Sequence, residues 1–523
     1  MVLLTSKFLS CIIRLVIPPN NIRMNMRSLS IFTLLFALSA CAATPPKADG
    51  LVFDKNAGAP GSITLPTGKT VNYTAYERLY FVTNVEDSTY QYMNVFVPEG
   101  ATQATPIFLR TYVGGYMASE AARPQAGDAS GRALAEGYVV AIPGSRGRNS
   151  KVGETFTGRA PAAILDLKAA IRYLRHFDKE MLGDAECIIT DGTSAGGAMS
   201  ALMGATGNAP EYEPYLEAMG AAKERDDVFA SVCYCPIIDL DHADMAYEWM
   251  YGGTDSRQDL SDEQKAVSKE LADQFPAYLA SLNLRKPDGT LLTIDNYEDY
   301  IKELLIKAAQ KAKDAGADIS TDLGFTFSSE SMGRFAAPVN GGMPGGMGMR
   351  PQGGDRQGPP AGFNMPMMRA RAGEYITDLD MPTYLNYVVS TQPLKGVPAF
   401  DSKDVAGSRS SGENEEFGDA KGSSVNFTTY AASKTSAAID EELQKRVYLM
   451  NPMNFIGKAD NAPHWYIRHG ARDRDTAFPV PVNFATRLQN EGLDVDFLLA
   501  WNRPHSGDYA LDELFQWIKE ITD

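Results

Sequence analysis

Residues 187–205 read CIITDGTSAGGAMSALMGA, from Cys187 to Ala205. The opening residues 187–190 are apolar or β-branched and read as a buried strand, and the small residues 198–205 read as a helix. Between them Gly192-Thr193-Ser194-Ala195-Gly196 fits a sharp strand-to-helix turn that holds its serine in a strained backbone conformation. Side chains two places before and two after that serine would clash, so the pattern needs glycine there. The helix N-terminus then directs partial positive charge at the serine oxygen. A glycine-rich strand–helix turn can instead cradle a phosphate. The preceding strand, the following helix and the extra Gly197 favour a nucleophilic serine.

Working outward, strands are expected at 92–97, 107–113, 138–142, 187–190 and 228–238, with a helix opened by Pro161 that puts Ile164, Leu167, Ile171 and Leu174 on one face. A second block holds strands at 465–468 and 495–501, a helix near 480–490, and a last helix striped by Leu511, Leu514, Phe515 and Ile518. Strands alternating with helices predict an α/β fold with a doubly wound, mostly parallel sheet. The expected organisation is core at 51–240, a large inserted cap or lid at 241–450, and core again at 451–523. Within the cap, residues 336–372 are rich in Gly, Met and Pro and are expected to be flexible.

A nucleophilic serine needs a base, and the chain has five histidines. His505 lies just past the last expected strand, at the sheet edge where ligands bind in such folds. His176, His464 and His469 read as structural or surface residues. His242, within Asp239-Leu240-Asp241-His242, lacks a partner pattern for a metal, so no metal and no cofactor is expected. The acid that orients the base is Asp473 or Asp475, both after the strand at 465–468. Asp473 is preferred, and Asp475 also suits the cap of the next helix. The order Ser194, Asp473, His505 is that of an α/β-hydrolase. Backbone N–H groups at Ala195 and Gly115 are the expected oxyanion donors.

The chain of 523 residues is 44% hydrophobic and 22% charged, which excludes wholesale disorder. A net charge of −16 argues against nucleic acid as a partner. Residues 1–40 carry Lys7, Arg14, Arg23 and Arg27, no acid, and an apolar run from Ser28 to Ala40. That run is too short to span a bilayer and reads as a signal peptide. Its ending, Leu38-Ser39-Ala40-Cys41, resembles a bacterial lipobox, which would lipidate Cys41 and anchor the protein to a membrane at the cell envelope after a tether at 41–50. Cys187, Cys233 and Cys235 then remain as ordinary thiols.

Several further stretches carry a family resemblance. They are Cys235-Pro236-Ile237-Ile238-Asp239-Leu240, Ala243-Asp244-Met245-Ala246-Tyr247-Glu248-Trp249, Val397-Pro398-Ala399-Phe400-Asp401, Glu413-Asn414 with Phe417-Gly418, Asp473-Arg474-Asp475-Thr476 and Pro504-His505-Ser506-Gly507-Asp508-Tyr509. With the Ser194 turn, they resemble the bacterial tannases, the tannin acyl hydrolase branch of the α/β-hydrolases. The resemblance implies a serine esterase that cleaves galloyl esters, with a small aromatic ester as substrate. It implies a catalytic role for Asp473 and contacts to the galloyl hydroxyls from Asp475, Lys395 and Glu413. The fungal members carry cysteines beside the serine and histidine, where Thr193 and Pro504 stand here, so that disulfide is not expected. Alternatives are a feruloyl or general carboxylesterase, a serine peptidase, or a surface-binding lipoprotein on an inactive hydrolase scaffold.

Overall fold

The computed structural model describes residues 50–328 and 375–523. The expected leader, Cys41, the tether up to residue 49 and the segment 336–372 lie outside the described residues. A nine-stranded sheet organises the rest: β1 Ala59–Thr64, β2 Thr70–Tyr80, β3 Tyr92–Pro98, β4 Pro106–Arg110, β5 Val139–Pro143, β6 Asp184–Thr193, β7 Ala230–Tyr234, β8 His464–Gly470 and β9 Asp494–Ala500. In space the order is β1-β2-β3-β5-β4-β6-β7-β8-β9. The six strands from β5 to β9 in that order run parallel, and the three at the other edge pair antiparallel.

The alternation of side chains across each strand builds two cores. Leu109, Ala141, Ile188 and Cys233 face one layer, formed with helices Ala162–His176, Ala195–Ala205 and Pro479–Asn490. Their neighbours Phe108, Val140, Ile189 and Val232 face the other, formed with helices Ala129–Glu136 and Leu511–Thr522. Every residue of β5 and β7 is buried, which explains why those strands read as continuous apolar runs. Each fully buried Leu, Ile or Phe contributes roughly 1.5–3 kcal/mol.

The expected seven strands are all present, with shifted ends. The strand expected over 107–113 pairs only to Arg110, and the one over 228–238 stops at Tyr234 because Cys235 turns to a positive φ of 44°. The edge strands β1 and β2 were not expected.

Between β7 and β8 the chain leaves the sheet and forms a helical segment that includes Leu240–Tyr251 and Ile294–Asp314. Its fully buried Tyr251, Phe275, Tyr297 and Tyr384 join the same apolar cluster as the first layer. Strands Phe325–Ser328 and Tyr375–Leu379 pair antiparallel on either side of residues 329–374. Among the described residues no helix is long and apolar enough to cross a membrane.

Candidate active site

Ser194 sits at the turn from β6 into helix Ala195–Ala205, at φ 63° and ψ −124°. A non-glycine residue held there stores about 1–3 kcal/mol and needs surrounding structure to hold it. Ser194 N–H donates to Tyr234 O at 2.9 Å, and Ser194 O accepts from Ala198 N–H at 2.9 Å. The glycines are required by space. A Cβ on Gly192 would lie 2.2 Å from Gly196 O, one on Gly196 2.8 Å from Val113 O, and one on Gly197 2.5 Å from Tyr234 O. Ala195 opens the helix, where the first N–H groups have no partner within the helix.

The acid and the base meet directly. His505 Nδ1 lies 2.7 Å from Asp473 Oδ2, and Asp475 N–H donates to Asp473 Oδ1 at 2.8 Å. Asp473 is fully buried and the His505 side chain is 16% exposed, so the imidazole reaches solvent while its acid does not. Burial alone would raise the Asp473 carboxyl. The imidazoles of His469 and His505 and the Asp475 N–H reverse that and hold it down to about 2. Burial disfavours protonated His505, but its bond to Asp473 and the charges of Asp473 and Asp475 raise its pKa above the ordinary value.

Asp475 takes a different place. Its Oδ2 is 4.0 Å from His505 Nδ1, and its Oδ1 pairs with Arg474 at 2.6 Å. The expectation that it caps the next helix is not met, because that helix begins at Pro479 behind Phe478.

The His505 loop lies against the serine turn, so close that a Cβ on Gly507 would fall 1.9 Å from Thr193 Oγ1. Among the described residues no direct hydrogen bond joins Ser194 to His505. Such contacts often tighten only with substrate bound.

The loop after β4 also approaches the serine turn, with Val113 O 2.8 Å from where a Cβ on Gly196 would stand. Gly115 has φ 56°, is exposed, and has no atom within 4 Å of where a Cβ would stand. Its carbonyl accepts from Arg148 Nε at 2.8 Å, and the Tyr116 hydroxyl donates to Ile237 O at 2.6 Å. The second bond ties the loop to Ile237, whose N–H donates to Ser194 O at 3.4 Å.

Lys395 and Glu413 come from the inserted segment and do meet. Lys395 Nζ is 3.8 Å from Glu413 Oε1 and 3.8 Å from the centre of the Phe400 ring. The Lys395 charge also acts on His505, opposing its protonation. Their side chains are 20% and 12% exposed, so they form a recessed polar pair.

Sequence reasoning assigned no role to the groups that hold these loops. Asp401 is buried and accepts from Asn414 Nδ2, Asn426 Nδ2, the Phe427 and Thr428 N–H groups and the Thr428 hydroxyl. Asp244 accepts from the Phe400 and Asp401 N–H groups. Arg110, the last residue of β4, joins two strands and a loop, pairing with Asp191 near the end of β6 and with Asp508 after the histidine at 2.7 Å. The available signal was their place in the motif stretches: Asp191 three before Ser194, Asp508 three after His505.

The remaining histidines sit elsewhere or behind the site. His176 is half exposed beside Glu224, and His464 pairs with Asp494 at 2.8 Å. His242 stacks on Tyr278 and bonds Asp239 at 2.9 Å. His469 is fully buried behind Asp473.

A doubly wound sheet with a strained serine after one central strand, an acid after β8 and a histidine after β9 defines an α/β-hydrolase. The BD-FAE family model matches residues 93–279. Similar solved structures include Fusobacterium nucleatum tannase, 34% identical over 90% of this chain and 99% of that chain, with a TM-score of 0.76. They also include native tannin acyl hydrolase from Lactobacillus plantarum, 36% identical over 90% and 99%, TM-score 0.75. A tannin acyl hydrolase in complex with ethyl gallate matches with the same values. No curated protein matches in sequence. The chain belongs to the tannase family, the tannin acyl hydrolases, and is a carboxylic ester hydrolase.

Proposed function

We propose that the chain hydrolyses galloyl esters through an acyl-serine formed on Ser194. The observation that carries this reading is the 2.7 Å bond from His505 to buried Asp473, on a loop pressed against the Ser194 turn. His505 Nε2 takes the Ser194 proton as the hydroxyl oxygen attacks the ester carbonyl. Ala195 and Gly115 N–H groups receive the oxyanion, each worth about 10²–10³ in kcat. His505 returns the proton to the departing alcohol. A water, deprotonated by the same imidazole, then releases the acid and restores the serine.

Lys395, Glu413 and Asp475 supply the chemistry to recognise a ring bearing adjacent hydroxyls. A carboxylate accepts from a phenol and an ammonium donates to its oxygen. Leaving either unpaired penalises a ring without hydroxyls. A relative was solved with ethyl gallate, which supports this choice of acyl group.

We further propose that Cys41 is lipidated and that the mature enzyme is anchored to a membrane at the cell envelope. The lipobox-like ending Leu38-Ser39-Ala40-Cys41 supports this.

The test is turnover of methyl gallate, methyl ferulate and a short nitrophenyl ester by the mature chain. Preference for gallate is expected, and preference for ferulate would transfer the reading to a feruloyl esterase. Ser194→Ala is expected to remain folded and to abolish turnover of all three. Cys41→Ala is expected to move the protein from the membrane fraction to the soluble one.

A further inference from the structure

A second cluster lies behind the carboxylate that carries His505. Cys235 follows β7, His469 lies in β8 and Asp473 follows β8, and all three are fully buried. One ligand atom from each lies within 4.8 Å of the others. His469 Nδ1 stands 3.6 Å from Asp473 Oδ2, too far for a hydrogen bond. Neither ring nitrogen of His469 reaches a partner at full hydrogen-bond geometry, the Thr476 backbone acting on the ring only weakly. Buried polar atoms are nearly always paired, so an imidazole with no full hydrogen bond at either nitrogen and facing a carboxylate calls for a physical reason.

We propose that Cys235, His469 and Asp473 form an inhibitory site for a soft divalent cation such as Zn²⁺. Thiolate, imidazole and carboxylate are the donor set that zinc prefers. Arms of about 2.0–2.3 Å at tetrahedral angles separate ligand atoms by roughly 3.3–3.8 Å. The His469–Asp473 edge already has that length. Closing the cluster from its widest limit of 4.8 Å takes a shift of about 1 Å.

The cluster around His242 differs. There Asp239 and Asp241 both accept from Asn451 Nδ2, and Asp239 also accepts from Tyr278. The histidine itself is also paired there, His242 Nδ1 lying 2.9 Å from Asp239 Oδ1, unlike His469.

Binding has a defined chemical balance. The Cys235 thiol releases its proton to solvent as the sulfur–metal bond forms, and no electron is transferred. The cation takes Asp473 Oδ2, the same oxygen that now accepts from His505 Nδ1. That hydrogen bond breaks, and the imidazole loses its orienting partner. Entry passes the partly exposed loop 503–508, where Ser506 O accepts from Cys235 Sγ at 3.3 Å.

The inhibition rests on the proposed role of Asp473, whereas the binding does not. The experiment therefore reads both on the mature chain, using Co²⁺ as a coloured probe and Zn²⁺ as the inhibitor. A thiolate-to-cobalt charge-transfer band, quenched by Zn²⁺, is expected. Zn²⁺ should lower ester turnover, with recovery on adding EDTA. Cys235→Ala should keep basal turnover, lose the band and need at least about tenfold more Zn²⁺ for half-inhibition. His469→Gln should show the same resistance and serves if the cysteine variant does not fold. Inhibition unchanged in both variants would place the cation at Asp475 and His505 and overturn the proposal, as would neither band nor inhibition at millimolar metal. A band with full turnover would uphold the site but overturn its inhibitory effect and the role given to Asp473.

Discussion

The two halves of the site are held by different physics. Ser194, Asp473 and His505 follow parallel strands of the central sheet, and backbone bonds and close glycine contacts fix them. Lys395 stands on an irregular stretch of the inserted segment and Glu413 on its short helix Gly412–Glu416, both fixed by side-chain hubs at Asp401, Asn414 and Asp244. The sheet half tolerates little, because a Cβ at Gly192, Gly197 or Gly507 meets backbone or side chain within 2.5 Å. The inserted half depends on a few polar groups, and removing one leaves several buried N–H groups unpaired. Chemistry is thus carried by the part of the fold that is hardest to deform, and recognition by the part that a few substitutions can reshape.

Breaking the sheet half should have the largest effect. Asp473→Asn is expected to lower kcat about 10⁴-fold on gallate and nitrophenyl esters alike, with little change in melting temperature. Breaking the inserted half should separate the substrates. Asp401→Ala removes the acceptor of five hydrogen bonds and is expected to cost about 3 kcal/mol in denaturant unfolding. Its surviving activity should fall further on gallate than on the nitrophenyl ester. Equal losses would mean that the two halves are not separable.

Smaller changes sharpen the contrast. Lys395→Met should lower kcat/KM for methyl gallate relative to methyl benzoate by about 10–100-fold, leaving the nitrophenyl ester nearly unaffected. The pH profile reports the sheet half. The folded pKa of His505 is raised, and the base must be neutral, so kcat/KM should rise with pH through a limb above 6.5. The same shift stabilises the fold fully below the unfolded pKa near 6.5 and fades as pH rises through the folded value.

Glu416 reports the inserted half. It is fully buried, both its oxygens lack partners, and burial pushes its carboxyl up to about 8. The unfolded chain ionises there near 4.5, so this group lowers stability progressively from that pH up to about 8. Glu416→Gln should flatten that slope by a few kcal/mol at most, read from unfolding midpoints at pH 5 and pH 8.

The same division governed what could be read from the sequence. The serine turn was legible because its glycines answer to contacts within a few residues. The positions of Asp473 and His505 were legible because strands and chain order confine them to one sheet edge. Strands β1 and β2 were missed because most of their residues are exposed or half-buried, leaving a weak alternation. Lys395 and Glu413 came only through family resemblance, since nothing local separates them from a solvated ion pair. Arg110 was invisible because its meaning depends on Asp191 and Asp508, distant in the chain and adjacent only after folding.

The order in which the polypeptide is made adds a consequence. Its attacking hydroxyl is laid down early, directly after β6, whereas the orienting carboxylate and the imidazole follow the last two strands. A chain still being synthesised carries the hydroxyl without either companion. The C-terminal strands must dock beside β7 before any ester meets a working set, so competence comes only when the molecule is almost finished.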